Sequence, residues 1–266
     1  MQAEEERRDK LHGLSLGHAM GDAIGGPTSL ARVLAQSLLE NRGFCSDQVR
    51  RDYLNWWRED GHDCGPVFDR VLTLVNQGKS WQSASEIVNT DLKGMTGGCN
   101  PAHRAMPLVF LDVSDTELVP IAVNEARLTH RDPIAGVISA ATVVICRKLI
   151  EGYSFGDAIK KVQKAFPDNA DLIRILNELE NLSTRDLKSD GYAPNTLRAA
   201  LFFVNETPDF DTALERAFEF AGTTNYCPVL VGAMAGARSG AAAIRKGSRY
   251  RTHPQRQISD PIRQLA

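Results

Sequence analysis

The sequence predicts an all-α fold, and three observations carry that expectation. Apolar residues recur at three- and four-residue spacing along most of the chain, while the alternation of a half-buried strand is nearly absent. The periodic segments tend to open on Pro, Ser or Asp and several close on Gly, residues that start and stop helices. Two stretches, residues 137–146 with the pair Ala140-Ala141 and the Gly- and Ala-rich run 232–240, are small enough in side chain for backbones to approach closely. They are the expected central helices.

Taken in order, Leu30, Val33, Leu34, Leu38 and Leu39 mark one face of a helix that Gly43 terminates. Ser46 and Asp47 are expected to cap the next, which runs through Tyr53 and Trp57 to Gly61. Val67, Val71, Leu72 and Val75 repeat the pattern over residues 64–77, and residues 80–92 give another helix. Residues 115–128, 133–151, 154–166, 170–182, 194–204, 209–220 and 228–244 follow with the same patterning. The 266 residues, 42% of them hydrophobic, suit a single domain spanning 1–266, with about 1–10 and 246–266 as loosely docked ends.

Thirty-one Lys and Arg against 33 Asp and Glu give a formal charge of -2, so no global basic field points to nucleic acid or an anionic membrane. A charged ligand must be held locally. Cys45, Cys64, Cys99, Cys146 and Cys227 are odd in number and widely spaced, as free thiols in a reducing compartment would be. The charged N-terminal stretch lacks the apolar core of a secretory signal, and no run approaches the ~20 apolar residues that cross a bilayer. The expectation is a soluble, intracellular, cytoplasmic protein.

Four loop-to-helix junctions collect the unusual residues. Residues 17–28 are dense in Gly around His18 and Asp22, which suits either a glycine-lined helix crossing or amides facing an anion. In Gly97-Gly98-Cys99-Asn100-Pro101-Ala102-His103-Arg104 two glycines free the backbone ahead of a helix that starts at Pro101, a setting for phosphate; His103 and Arg104 could add charge or stack on a base. Thr129, His130 and Asp132 gather in a tight connection between two helices, where a His is either a structural partner or a catalyst. Gly222-Thr223-Thr224-Asn225-Tyr226 offers hydroxyl and amide oxygens but no carboxylate, whereas Mg²⁺ and Ca²⁺ sites rely on at least one or two. A fifth polar turn, Asp60, His62, Asp63 and Cys64, has its donors too close together to share one ion easily.

In order, the four junctions resemble the motifs of the ADP-ribosylglycohydrolase family, which includes the J1 crystallins. Gly-Asp-Ala-x-Gly-x-Pro is matched by Gly21 to Pro27, and Ala-x-Leu-Thr-His-x-x-Pro by Ala126 to Pro133. Gly-Asn-Gly-x-x-Met-Arg-x-x-Pro-Leu is echoed from Gly98 to Leu108, with Arg104, Pro107 and Leu108 in step; Gly191, Tyr192, Thr196 and Leu197 match Gly-Tyr-x-x-x-Thr-Leu. The resemblance spans about residues 11–244. It implies a compact orthogonal multi-helix bundle and, in family enzymes, two Mg²⁺ ions in a cleft where the glycosidic bond of ADP-ribose to a side chain or small acceptor is cleaved. Carried over by position, Gly97, Gly98, Cys99, Asn100, His103, Arg104, Thr223 and Asn225 would bind the ligand, and Asp22, His130 and Asp132 would remain for acid and base work.

This chain departs from the family where the metals sit. Ser29 takes the place of the catalytic Glu, and Pro27 leads straight into the helix of Leu30, so the segment with the Thr-Asp-Asp-Thr motif is missing. In the last motif the two aspartates align with Thr223 and Asn225, and the threonine with Tyr226. No metal ligand set remains and no cofactor is expected. The resulting expectation is a catalytically impaired or inactive protein with a residual pocket for an ADP-ribose-like small molecule or ADP-ribosylated substrate. The alternatives are an active divergent hydrolase with altered or no metal dependence, and a structural, crystallin-like role.

Overall fold

The structure, a computed structural model, describes residues 2–247. These are helical from α1 (Gln2–Gly21) to α14 (Ala241–Gly247), and the one β-type pairing among them is an isolated antiparallel bridge between Gly98 and Tyr192. The all-α expectation is met. Its two central helices are also where the small residues placed them: α8 (Pro133–Ile150) and α13 (Tyr226–Ser239) are buried along most of their lengths. By length and composition alone α8 could cross a membrane, but 89% of it lies inside the fold, as in the core helix of a globular domain.

The closest helix crossing is between α1 and α13. An added Cβ on Gly17 would overlap the carbonyl oxygen of Gly232, and one on Gly232 would overlap that of Gly17, so the two backbones touch directly. Of the two readings of residues 17–28, the glycine-lined crossing describes Gly17 and Gly21.

Three element expectations change. Residues 2–10, expected as a loose end, form the exposed first turns of α1, steadied by a Glu6–Lys10 pair and by Asp9, which accepts from the Ala242 amide at 2.9 Å. The buried second half of the helix supplies the nucleus from which they propagate. Neither Ser46 nor Asp47 caps α3 (Ser46–Glu59): the extended residue is Cys45, one position earlier, and Asp47 instead pairs with Arg50. The helix expected over 228–244 breaks at Gly240, whose φ of 79° turns the chain into α14. Of the expected tail, residues 248–266 lie outside the described residues.

Candidate functional site

A cavity of about 710 Å³ opens where six segments meet: the start of α2 (Gly26–Asn41), the turn into α4 (Pro66–Asn76), the stretch from α5 (Trp81–Asp91) to α6 (Asn100–Arg104), the turn into α8, the turn into α11 (Ala193–Glu206) and the start of α13. Of the site residues expected from the sequence, Gly97, Gly98, Cys99, Asn100, His103, His130, Asp132 and Asn225 line it. Asp22, Arg104 and Thr223 do not.

The 97–99 strip is pinned to the turn before α11, with Cys99 N donating to Gly191 O and Ala193 N to Gly97 O, both at 2.9 Å. Gly97 passes so close to α8 that a Cβ would come within 2.9 Å of Asp132 Oδ2. Asp132 itself caps α8, its Oδ1 accepting from Ile134 N at 3.0 Å. Burial pushes the Cys99 thiol up to about 12, so it is a neutral lining group and no thiolate nucleophile.

Beneath this strip lies Arg104, which is fully buried. Its Nε donates to Glu125 Oε1 at 2.6 Å, Nη2 donates to Thr129 Oγ1 at 3.1 Å, Nη1 donates to Asn100 Oδ1, and the guanidinium faces the rings of Tyr53 and Phe68, each at 5.2 Å. Tyr53 Oη adds a second bond to Glu125, at 2.8 Å. Arg104 therefore supports the cavity floor rather than contacting a ligand, because the buried Glu125 carboxylate requires a partner. Asn100 is likewise engaged, its Nδ2 donating to Cys64 O at 3.0 Å.

The histidines form a neutral set. His18 Nε2 contacts His103 O at 2.6 Å, and His103 Nε2 contacts Tyr226 O at 2.7 Å. A carbonyl only accepts, so both Nε2 atoms carry the proton. Burial pushes the His103 imidazole down to about 4. His130, bonded through Nδ1 to Thr129 Oγ1 at 2.8 Å, is held well below its ordinary value by burial and by the nearby Arg104 charge.

Asp22 has no exposed surface. It accepts from the amides of Gly25 and Thr28, each at 2.8 Å, more weakly from Ile24 at 3.3 Å, and from Asn225 Nδ2 at 3.0 Å. Burial alone would raise its carboxyl, but the Gly25 and Thr28 bonds outweigh burial and hold it below the usual range. Thr223 is exposed outside the cavity, and Ser29 lines a separate groove between α2 and α3.

Asp63, weighed in the sequence only as part of the 60–64 polar turn, belongs to this cavity. It lines the cavity as a largely exposed residue with a left-handed φ of 47°, and its Oδ2 accepts from Asn225 Nδ2 at 2.9 Å. Burial raises its carboxyl, and the neighbouring Asp22 charge adds to that, against the opposing Asn225 bond. The Gly65-Pro66 helix start just after it was the available signal. Lys93 and Met95 were missed, and Tyr192 and Tyr226 were read as motif positions without a role; Met95 and Tyr192 are large apolar side chains left exposed at the cavity. Among the described residues no group of three or more His, Cys, Asp or Glu stands ready to hold a metal ion.

Comparison with known proteins agrees with the fold and the family resemblance. The family model described as ADP-ribosylglycohydrolase matches residues 27–266. A protein of Serratia proteamaculans (strain 568) named ADP-ribosylarginine hydrolase Tri1 is 25% identical over 295 residues, covering 98% of this chain and 80% of its own. A solved structure titled ADP-ribosylglycohydrolase-related protein complex superposes with a TM-score of 0.76 at 26% identity, covering 98% of this chain and 96% of its own. With the family match running over nearly the whole chain, this protein belongs to the ADP-ribosylglycohydrolase family.

Proposed function

We propose that this chain is an ADP-ribosylglycohydrolase-like protein that binds an ADP-ribose-like molecule or an ADP-ribosylated substrate in the cavity, and that is catalytically impaired because it lacks the family's two-Mg²⁺ chemistry. One observation carries the reading: the Asn225 amide nitrogen sits between Asp22 and Asp63 and donates to both. An N–H stands where a cation would need oxygen. The remaining donors do not fit Mg²⁺ either. Asp22 already accepts from three backbone amides, Thr224 Oγ1 donates to Ala221 O at 3.0 Å, and Thr223 does not line the cavity. Two dications require several carboxylates in near-octahedral geometry.

Calorimetry and thermal shift with ADP-ribose, with Mg²⁺ and with EDTA, test this. Ligand at 100-fold its Kd stabilises by about 2.7 kcal/mol, which for a domain of this size raises Tm by about 5 °C. The expected shift is the same in Mg²⁺ and EDTA, with no turnover of ADP-ribosylated arginine or serine. Mg²⁺-stimulated turnover would overturn the reading.

Asp63 favours a second reading, an active hydrolase that works without metal. A cavity-facing carboxyl with a raised proton affinity is what a general acid requires. The acceptor to try first is ADP-ribosyl-arginine, the substrate type in the name of the Serratia relative. EDTA-resistant turnover lost in Asp63→Asn would support it.

A further inference from the structure

A phosphate-bearing ligand needs a counter-charge, and the cavity offers few. Asp63 and Asp132 bring carboxylates, and His103 and His130 are held neutral by burial. Arg104 lies under the floor, committed to Glu125. Among the described residues that line the cavity, Lys93 is the one remaining cation.

Its setting is independent of that tally. Lys93 follows α5 where the helix is closed by Lys93 N donating to Thr90 O at 2.9 Å and Gly94 N to Asn89 O at 2.8 Å. Its φ is 52°, in the left-handed region that such helix ends usually give to Gly. The side chain is exposed and has no ion-pair partner among the described residues, whereas nearby Asp91 is taken by Arg70. A lysine thus stands, unpaired, where the backbone would be better served by glycine, at the edge of a cavity otherwise lined by carboxylates and neutral groups.

We propose that Lys93 Nζ is the anion anchor of this cavity and binds a phosphate of the ligand. The proposal deepens the ADP-ribose reading and rests on it for the identity of the ligand. It makes phosphate recognition in this chain depend on a side chain at the rim rather than on metal ions at the centre.

Calorimetry at low salt with ADP-ribose, adenosine and inorganic pyrophosphate, on wild type and on Lys93→Gln, Lys93→Gly and Lys93→Arg, tests it. Gln and Gly should weaken ADP-ribose and pyrophosphate by about 2- to 5-fold, the upper range of an exposed charge pair, while Arg keeps most of the affinity. Adenosine should bind all four alike. The Gly variant should melt no lower than wild type, which separates lost contact from lost fold. Equal ADP-ribose affinity across the set overturns the anchor, as does an equal loss for adenosine, which would mark a change of loop shape. If pyrophosphate binds through Lys93 and ADP-ribose does not bind, the anchor stands and the nucleotide reading falls. If neither binds wild type, both fall.

Discussion

Arg104→Met should cost stability before it costs affinity. The substitution roughly preserves volume while removing one member of a pair in which both Arg104 and Glu125 have no exposed surface and lie 2.6 Å apart. Glu125 would keep only the Tyr53 hydroxyl as partner, at 2.8 Å, and its Oε2 already has none among the described residues. Leaving a buried charge uncompensated costs about 3–5 kcal/mol. An unfolding entropy of about 2.1 cal/mol/K per residue amounts to about 0.56 kcal/mol/K for a chain this long, so Tm should fall by about 5–9 °C. Thermal and urea unfolding of Arg104→Met, Glu125→Leu and the double variant measure this. The double variant should be less destabilised than Arg104→Met, because no lone charge remains inside it. A Tm change under about 2 °C together with lost ADP-ribose binding would refute the floor role and return Arg104 to the ligand.

Three further outcomes follow from the same geometry. The neutral histidines set a pH dependence: a folded imidazole pKa below the unfolded value near 6.5 means the unfolded chain takes up protons first as pH falls, so stability present above about 6.5 is lost toward the folded value. For His103, pushed down to about 4, the loss approaches about 3 kcal/mol by pH 4, and His18 and His130 act in the same direction. Urea midpoints that stay flat between pH 7 and 5 would contradict this. Asn225→Asp removes two donated bonds and adds a third carboxylate beside Asp22 and Asp63, so stability at pH 7 should drop by about 1–3 kcal/mol and be partly restored by millimolar Mn²⁺. A variant as stable as wild type and blind to Mn²⁺ would undo the bridging role of the amide. Gly17→Ala drives a Cβ into Gly232 O and should cost about 3 kcal/mol or more, whereas Gly156→Ala, with open space around it on α9 (Phe155–Ala165), should be neutral or gain about 0.5 kcal/mol. Denaturation midpoints compare the two directly.

The bundle was legible because most of its helices carry their own signal: periodic apolar faces, Pro or Ser at the start, and small residues where α8 and α13 had to be central. The first half of α1 carries no such signal, because its helicity is inherited from contact with α13 at the far end of the chain. Arg104 read as a ligand group because nothing local tells an inward Arg from an outward one. Its partner did leave a trace: Leu118, Ala122 and Glu125 share the buried face of α7 (Asp115–Ala126), and a carboxylate on such a face calls for a cation. Asp63 left less. Its role depends on Asn225, 162 residues away, and no spacing rule reaches that far.

On the proposed metal-free reading, the departures from the family around Asp22 and at Asn225 are energetically linked. Asp22 is held in place by the Gly25 and Thr28 amides that fix the start of α2, a duty that needs no metal, so it persists as a buried negative charge. Asp63 faces it, and its carboxyl is raised by burial first and then by the Asp22 charge. With a cation between them, a third carboxylate at position 225 would be stabilising; without one, it would be repelled by both. An amide resolves the conflict, because its two N–H donors can satisfy both aspartates at neutral charge. On that metal-free reading, Asn at 225 is the favoured residue, and an Asp there is tolerated only while a cation is bound. The α1–α13 crossing and the Arg104–Glu125 pair are built from residues that do not line the cavity. On the proposed reading, the fold is therefore independent of the metal chemistry.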